Sequence, residues 1–171
     1  LCSKDLKEFI EENHLDLNLD GHFNPRLVFG SYTDSDHVYN TPRAWYLLSK
    51  LNKNLLIEGN YQPESDDIPW AFKPAHKVSV EDIKYLQASH YQGTKYDCYA
   101  RFNDSAEKGK YRPIGISRTC FMAVLQVRGY APEGMKSIEW IGFASNVFNT
   151  LIPFFTNTDV VPSYLGNTTL K

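Results

Sequence analysis

Cysteine is scarce in this 171-residue chain, and what there is forms no pattern. Cys2, Cys98 and Cys120 are an odd set without metal-ligand spacing, which argues against a secreted disulfide framework and for free thiols in a reducing, cytoplasmic compartment. Charge of one sign is also missing: 18 Lys and Arg face 20 Asp and Glu, a formal charge of -2. Such a balance builds no field suited to nucleic acid or to an anionic membrane surface. No apolar run approaches the roughly 18 residues of a membrane span, and the charged opening "LCSKDLKEFIEEN" lacks the apolar centre of a signal peptide. The first residue is not Met, so the expectation is a processed chain or part of a longer protein. G-x-S-x-G, Walker, dinucleotide-binding and HExxH signatures are absent, and the five histidines have no metal spacing. Neither a metal nor an organic cofactor is expected.

What is present reads as helices first and sheet second. Leu6, Phe9 and Ile10 fall at helical spacing between Lys4 and Asn13. The polar, glycine-punctuated stretch from Leu15 to Asn40 reads as a long structured loop. Thr41 as N-cap, with Pro42 at the first helical position, predicts a helix to about Asn52. The Pro-rich, acidic segment from Glu58 is irregular, with Trp70 and Phe72 as its anchors. Ser79 and Asp82 form a capping box for a helix carrying Val80, Ile83, Leu86 and Gln87, which ends before Gly93.

Beyond Gly93 the period changes to two. Strands are expected over Ile114 to Val127 and Ile138 to Phe143, with "VFNTLIPFF" returning as a third whose Pro153 lies at an edge or bulge. Such short joins require antiparallel pairing. The class is therefore α+β, helices packed on an antiparallel sheet. At this length a single domain over residues 1–171 buries about 70% of its unfolded surface.

The candidate sites follow from residue type. In "GISRTCFMAVLQV" both faces of the expected strand are apolar, so the strand is covered on both sides and Arg118 is enclosed in it. An enclosed guanidinium needs an acidic partner or a role in a site. "DLNLDG" (Asp16, Asn18, Asp20, Gly21) matches the first half of a calcium loop, but position twelve is Leu27 rather than a bidentate Glu, which favours an Asx-rich turn. Asp34, Asp36 and His37 in "TDSDH" suit either part of a divalent site or a hydrogen-bonded turn. Asn103 and Asn167 match the glycosylation pattern but lack a secretory context. Cys2 leads into a helix rather than a strand, so it is a poor terminal nucleophile, and Cys98 and Cys120 read as packing residues.

Four segments together, the opening through "TDSDHVYNTPRAWY", then "SHYQGTKYD", "KYRPIGISRT" and "IEWIGFASNVFNTLIPFF", resemble the C69 dipeptidases. The resemblance covers nearly the whole chain. It implies an N-terminal nucleophile hydrolase, an αββα sandwich, in which residues 1–171 are a middle-to-late portion lacking the strand with the nucleophilic cysteine. It implies a dipeptide substrate, cleaved through an acyl-enzyme, and no cofactor; a homo-oligomer is compatible with it. "GISRT" is similar to a strand of the related penicillin V acylases and bile salt hydrolases that carries an active-site arginine, which gives Arg118 a supporting catalytic role. Asn146 and Asn149 in "SNVFN" are candidates to donate amide hydrogen bonds to substrate. The alternatives are an acylase or bile salt hydrolase acting on other amides, and a noncatalytic binding or assembly module.

Overall fold

The computed structural model describes residues 2–15, 28–31, 33–102 and 104–166. The calcium-like "DLNLDG" loop and the two glycosylation-type asparagines, Asn103 and Asn167, lie outside the described residues. The helices and antiparallel strands observed are those of an α+β protein. The chain divides into two compact units, one of Leu1–Lys77 with Phe102–Arg112 and the other of Val78–Arg101 with Pro113–Lys171.

The first unit is helical. Helix α1 (Leu6–Glu12) buries Ile10, while Phe9 stays half exposed. A single helical turn, α2 (Asp36–Tyr39), leads into α3 (Thr41–Leu51). Helix α3 begins one residue earlier than expected, at Thr41 with Asn40 as its cap, because the Asn40 amide reaches back to the Asp36 carboxylate and no side chain caps the helix. It buries Tyr46 and Leu48 completely, each burial contributing about 2 kcal/mol. A further helix, α4 (Lys53–Glu58), follows directly. Its cap is Asn52, whose side chain accepts a hydrogen bond from the Leu55 N–H at 3.1 Å. Beyond it the acidic segment is irregular, as expected. Its buried anchors are Pro63 and Ile68, however, and Trp70 remains half exposed. Residues 110–112 return to this unit. Glu64 accepts from Lys110 Nζ (2.8 Å) and Tyr111 Oη (2.7 Å), and the Arg112 N–H donates to the Val38 carbonyl (3.0 Å).

In the second unit α5 (Val80–Gln87) has the full capping box, Ser79 and Asp82 each bonding the other's backbone N–H, and it buries Leu86. It lies against β1 (Phe121–Val127), which pairs antiparallel with β2 (Ser137–Phe143); β2 pairs antiparallel with β3 (Ile152–Phe155). Pro153 sits in the edge strand, where a missing N–H is tolerated.

Two expectations about β1 are corrected. The strand starts at Phe121, not Ile114, because the Thr119 N–H turns back to the Ile116 carbonyl (3.0 Å) and residues 116–119 form a turn. The strand is also covered on one face alone. Met122 and Val124 are buried, whereas Phe121, Leu125 and Val127 are 54%, 78% and 80% exposed, so an apolar face that the sequence marks for burial has no cover among the described residues.

Gly115 explains how the "RPIGIS" segment seats on this unit. Its N–H donates to the Ser89 carbonyl (2.8 Å), and a Cβ there would lie 2.6 Å from the Ala88 carbonyl carbon and oxygen. Both obstacles are backbone at the end of α5, which cannot swing aside. Gly115→Ala is expected to lower the melting temperature by about 3–8 °C, the cost of overpacking in a domain of this size. A thermal melt of the variant with an unchanged Tm would contradict this seating.

Candidate functional site

The residues chosen from sequence in the second unit converge on one end of the β1–β2 hairpin. The register pairs Phe121 with Phe143, so Arg118, three residues before Phe121, and Asn146, three after Phe143, leave the sheet at the same end. The Ala144 N–H donates to the Cys120 carbonyl (2.9 Å) and ties the two segments together.

Arg118 is exposed on its turn rather than enclosed in a strand, and it has no acidic partner among the described residues. Its surroundings therefore give no structural ion pair to account for it. Asn149 donates its amide hydrogens to the Phe143 (2.5 Å) and Ala144 (3.2 Å) carbonyls. That clamp holds Ala144 in the left-handed region at φ 61°, unusual for a residue with a Cβ. With both N–H groups engaged, the free group on Asn149 is its buried Oδ1. Asn146 is 3% exposed and its Oδ1 is likewise buried without a donor. Asn149 thus spends its amide donors on its own loop, and each of the two asparagines keeps a buried side-chain oxygen without a donor.

Lys84 was not singled out from sequence. It lies four residues after Val80, on the inward edge of α5, and its ammonium donates to the Asn146 carbonyl. Burial holds its pKa below the ordinary lysine value. The signal in the sequence was only a lysine beside an apolar stripe, indistinguishable from a stem that snorkels to solvent. The shift has a definite sign. Because the folded state binds this proton less tightly than the unfolded chain, stability rises with pH between the folded pKa and the unfolded value near 10.4. In a titration of isotopically labelled lysine ammonium groups, Lys84 is expected to titrate below the surface lysines; a midpoint indistinguishable from theirs would refute the desolvated setting.

Other polar and thiol side chains are occupied locally or lie at the surface. His90 Nδ1 lies 2.6 Å from Asp97 Oδ1, and that oxygen also accepts the Tyr99 (2.9 Å) and Ala100 (3.2 Å) N–H groups, so the pair braces the 90–100 loop. Cys2 and Cys120 are exposed and Cys98 is half-buried, and none of them is in a disulfide. Cys120 is thus less buried than a packing role requires. No strand follows Cys2, which precedes α1.

The "TDSDH" segment belongs to the first unit and walls an open cleft of about 470 Å³. Three of its walls are carboxylates: Asp34, Asp36 and Asp66. Asp36 Oδ2 accepts from Ser31 Oγ (2.6 Å) and the Thr33 N–H (3.1 Å), and Oδ1 from the Asn40 amide. These bonds, the Ser31 hydroxyl foremost, hold the Asp36 carboxyl below the usual carboxylate range. His37 turns instead to Asp66, Nε2 to Oδ1 at 3.0 Å. The segment forms a hydrogen-bonded turn, and among the described residues no three or more His, Cys, Asp or Glu side chains are grouped to hold a metal ion.

The model for peptidase family C69 matches residues 1–171. A protein named dipeptidase from Bifidobacterium longum is 51% identical over all of this chain, which covers 33% of that protein. A probable dipeptidase A from Streptococcus pyogenes is 46% identical over 98% of the chain and 35% of its own length. Dipeptidase A from Lactobacillus helveticus is 37% identical over 94% and 33% respectively. The chain belongs to peptidase family C69. It spans about a third of the length of these relatives.

Proposed function

We propose that residues 1–171 are part of a dipeptidase that cleaves its substrate through a cysteine acyl-enzyme. The observation that carries this reading is the family match over the whole chain, together with relatives named as dipeptidases. On this reading the nucleophile is a terminal cysteine outside these residues. Its α-amine takes the thiol proton, the thiolate attacks the scissile carbonyl, and the proton passes to the departing amine as the C–N bond breaks. Water then hydrolyses the thioester, releasing the first amino acid and restoring the thiol. The cytoplasm is the compartment this reading assigns, from the unpatterned cysteines.

Arg118 takes a supporting role, its planar guanidinium steadying the oxyanion or orienting the thiolate. An exposed arginine on a turn, with no acid to pair with among the described residues, is better suited to this than to holding the fold. Asn146 and Asn149 belong to the substrate side of the same sheet end, contributing side-chain oxygens that lack donors. The open apolar face of β1 is where a second sheet packs, completing an αββα sandwich.

The test uses the full-length protein and a panel of dipeptides, with N-acyl amino acids as the competing substrate class. Dipeptide hydrolysis abolished by thiol alkylation supports the proposal; hydrolysis confined to N-acyl substrates would favour the acylase alternative, and none at all the noncatalytic module. Arg118→Lys is expected to lower kcat/KM by roughly 10²-fold, because an ammonium cannot reproduce the fork, while Tm moves by no more than a surface substitution allows. Near-normal kinetics in that variant would remove Arg118 from the active site.

A further inference from the structure

Three polar groups at the end of the β1–β2 hairpin are left unsatisfied close together. Lys84 is half-buried, donates to the Asn146 main-chain carbonyl, and pairs with no carboxylate among the described residues. An ammonium carries three N–H groups, so two remain for another acceptor. Asn146 is 3% exposed, yet its side chain has no hydrogen-bond partner among the described residues, and its Oδ1 is fully enclosed. Ser145 Oγ, one residue earlier, is enclosed without a partner as well. Polar side chains so buried are ordinarily paired, and a cation drawn out of water ordinarily has its counter-ion.

The kind of occupant follows from charge and donor count. The one formal charge among the three groups is positive, so a single negative charge balances it. The Ser145 hydroxyl can donate, and the Asn146 amide can turn end over end without breaking a hydrogen bond, so both can aim a donor at an anion beside the ammonium. Water would fill the hydrogen bonds but leave the charge without its opposite. A cationic ligand would be repelled by Lys84. A carboxylate brings one negative charge and about four acceptor positions, enough for Lys84, Ser145 and Asn146 together. Burial alone moves the Lys84 pKa, downward, as expected of an ammonium with no acid beside it.

We propose that Lys84, with Ser145 and Asn146, binds the free C-terminal carboxylate of the substrate. The choice of a dipeptide over other carboxylates rests on the dipeptidase reading. In a dipeptide this group lies one carbon beyond the scissile nitrogen, and Arg118, which the same reading sets at the reacting carbonyl, leaves the sheet at the same end. Such a site separates dipeptides from longer chains, whose second residue ends in a peptide bond instead of a charge.

The experiment measures equilibrium binding to the full-length protein of an uncleavable probe, the hydroxyethylene isostere of alanyl-alanine, beside its C-terminal carboxamide. The free acid is expected to bind roughly 10- to 100-fold more tightly than the carboxamide. Lys84→Met should erase most of that preference by weakening the free acid alone, whereas a lysine that merely holds the loop would weaken both probes equally. Asn146→Asp, nearly identical in shape, gives Lys84 an acid of its own and should also erase the preference. Ser145→Ala should reduce it about 2- to 10-fold, the share of a neutral hydroxyl. Lys136→Met, at the opposite end of the hairpin, should leave it unchanged. Should Lys84→Met fail to fold, Asn146→Asp and Ser145→Ala decide the matter. A preference that survives Lys84→Met or Asn146→Asp, equal weakening of both probes, or no preference in the unaltered protein overturns the proposal. Turnover of natural dipeptides is scored separately. Hydrolysis without a carboxylate preference removes this site and leaves the dipeptidase reading, whereas carboxylate-selective binding without hydrolysis does the reverse.

Discussion

Seven backbone pairings between β1 and β2 govern what the second unit does. Strand register has a period of two, so a slip of one residue would carry every side chain to the opposite face. With Phe121 opposite Phe143, Met122 and Val124 face α5 and the segments flanking the hairpin end emerge together. The convergence of the Arg118 turn, the Ala144–Asn149 loop and Lys84 therefore requires no long-range electrostatic attraction. It is a by-product of burying one apolar stripe, held by main-chain hydrogen bonds such as that from Ala144 to Cys120.

In the first unit a single carboxylate has a comparable organising role. Asp36 gathers a hydroxyl, a main-chain N–H and an amide from positions five residues before to four residues after it. The geometry resembles a cap at the start of α2, yet the same bonds take the Asn40 side chain away from the helix that follows, which starts without a side-chain cap. Local order at the cleft is thus favoured over the best possible helix start. Sequences depart from local optima of this kind most often where a site is being shaped.

Helices and their ends were legible in the sequence wherever the signal was local. Ser79 and Asp82 announced a capping box that is present, and Pro42 marked the start of α3 to within one residue. Lys53–Glu58 escaped because Asn52 reads equally well as the end of one helix and the cap of the next. Non-local features were less accessible. Parity showed that both faces of β1 are apolar, but not which of them this chain covers, since that depends on an element far away in sequence. The exposure of Arg118 depended on one hydrogen bond, Thr119 to Ile116, that ends the apparent strand early. The direction in which Asn149 points its amide was set by two carbonyls that residue type alone cannot reveal. The family resemblance was legible throughout, because it rests on long contiguous segments rather than on three-dimensional neighbours.

The two compact units are interleaved along the polypeptide, since residues 102–112 belong to the first although they lie between two stretches of the second. Lys110, Tyr111 and Arg112 secure that return through Glu64 and Val38. During synthesis the first unit cannot close until Arg112 has emerged, by which time residues 78–101 of the second have been made and the rest of it has not. For the same reason no single cut releases either unit whole. A genetic exchange that replaced one of them would have to splice at all three internal boundaries, after residues 77, 101 and 112.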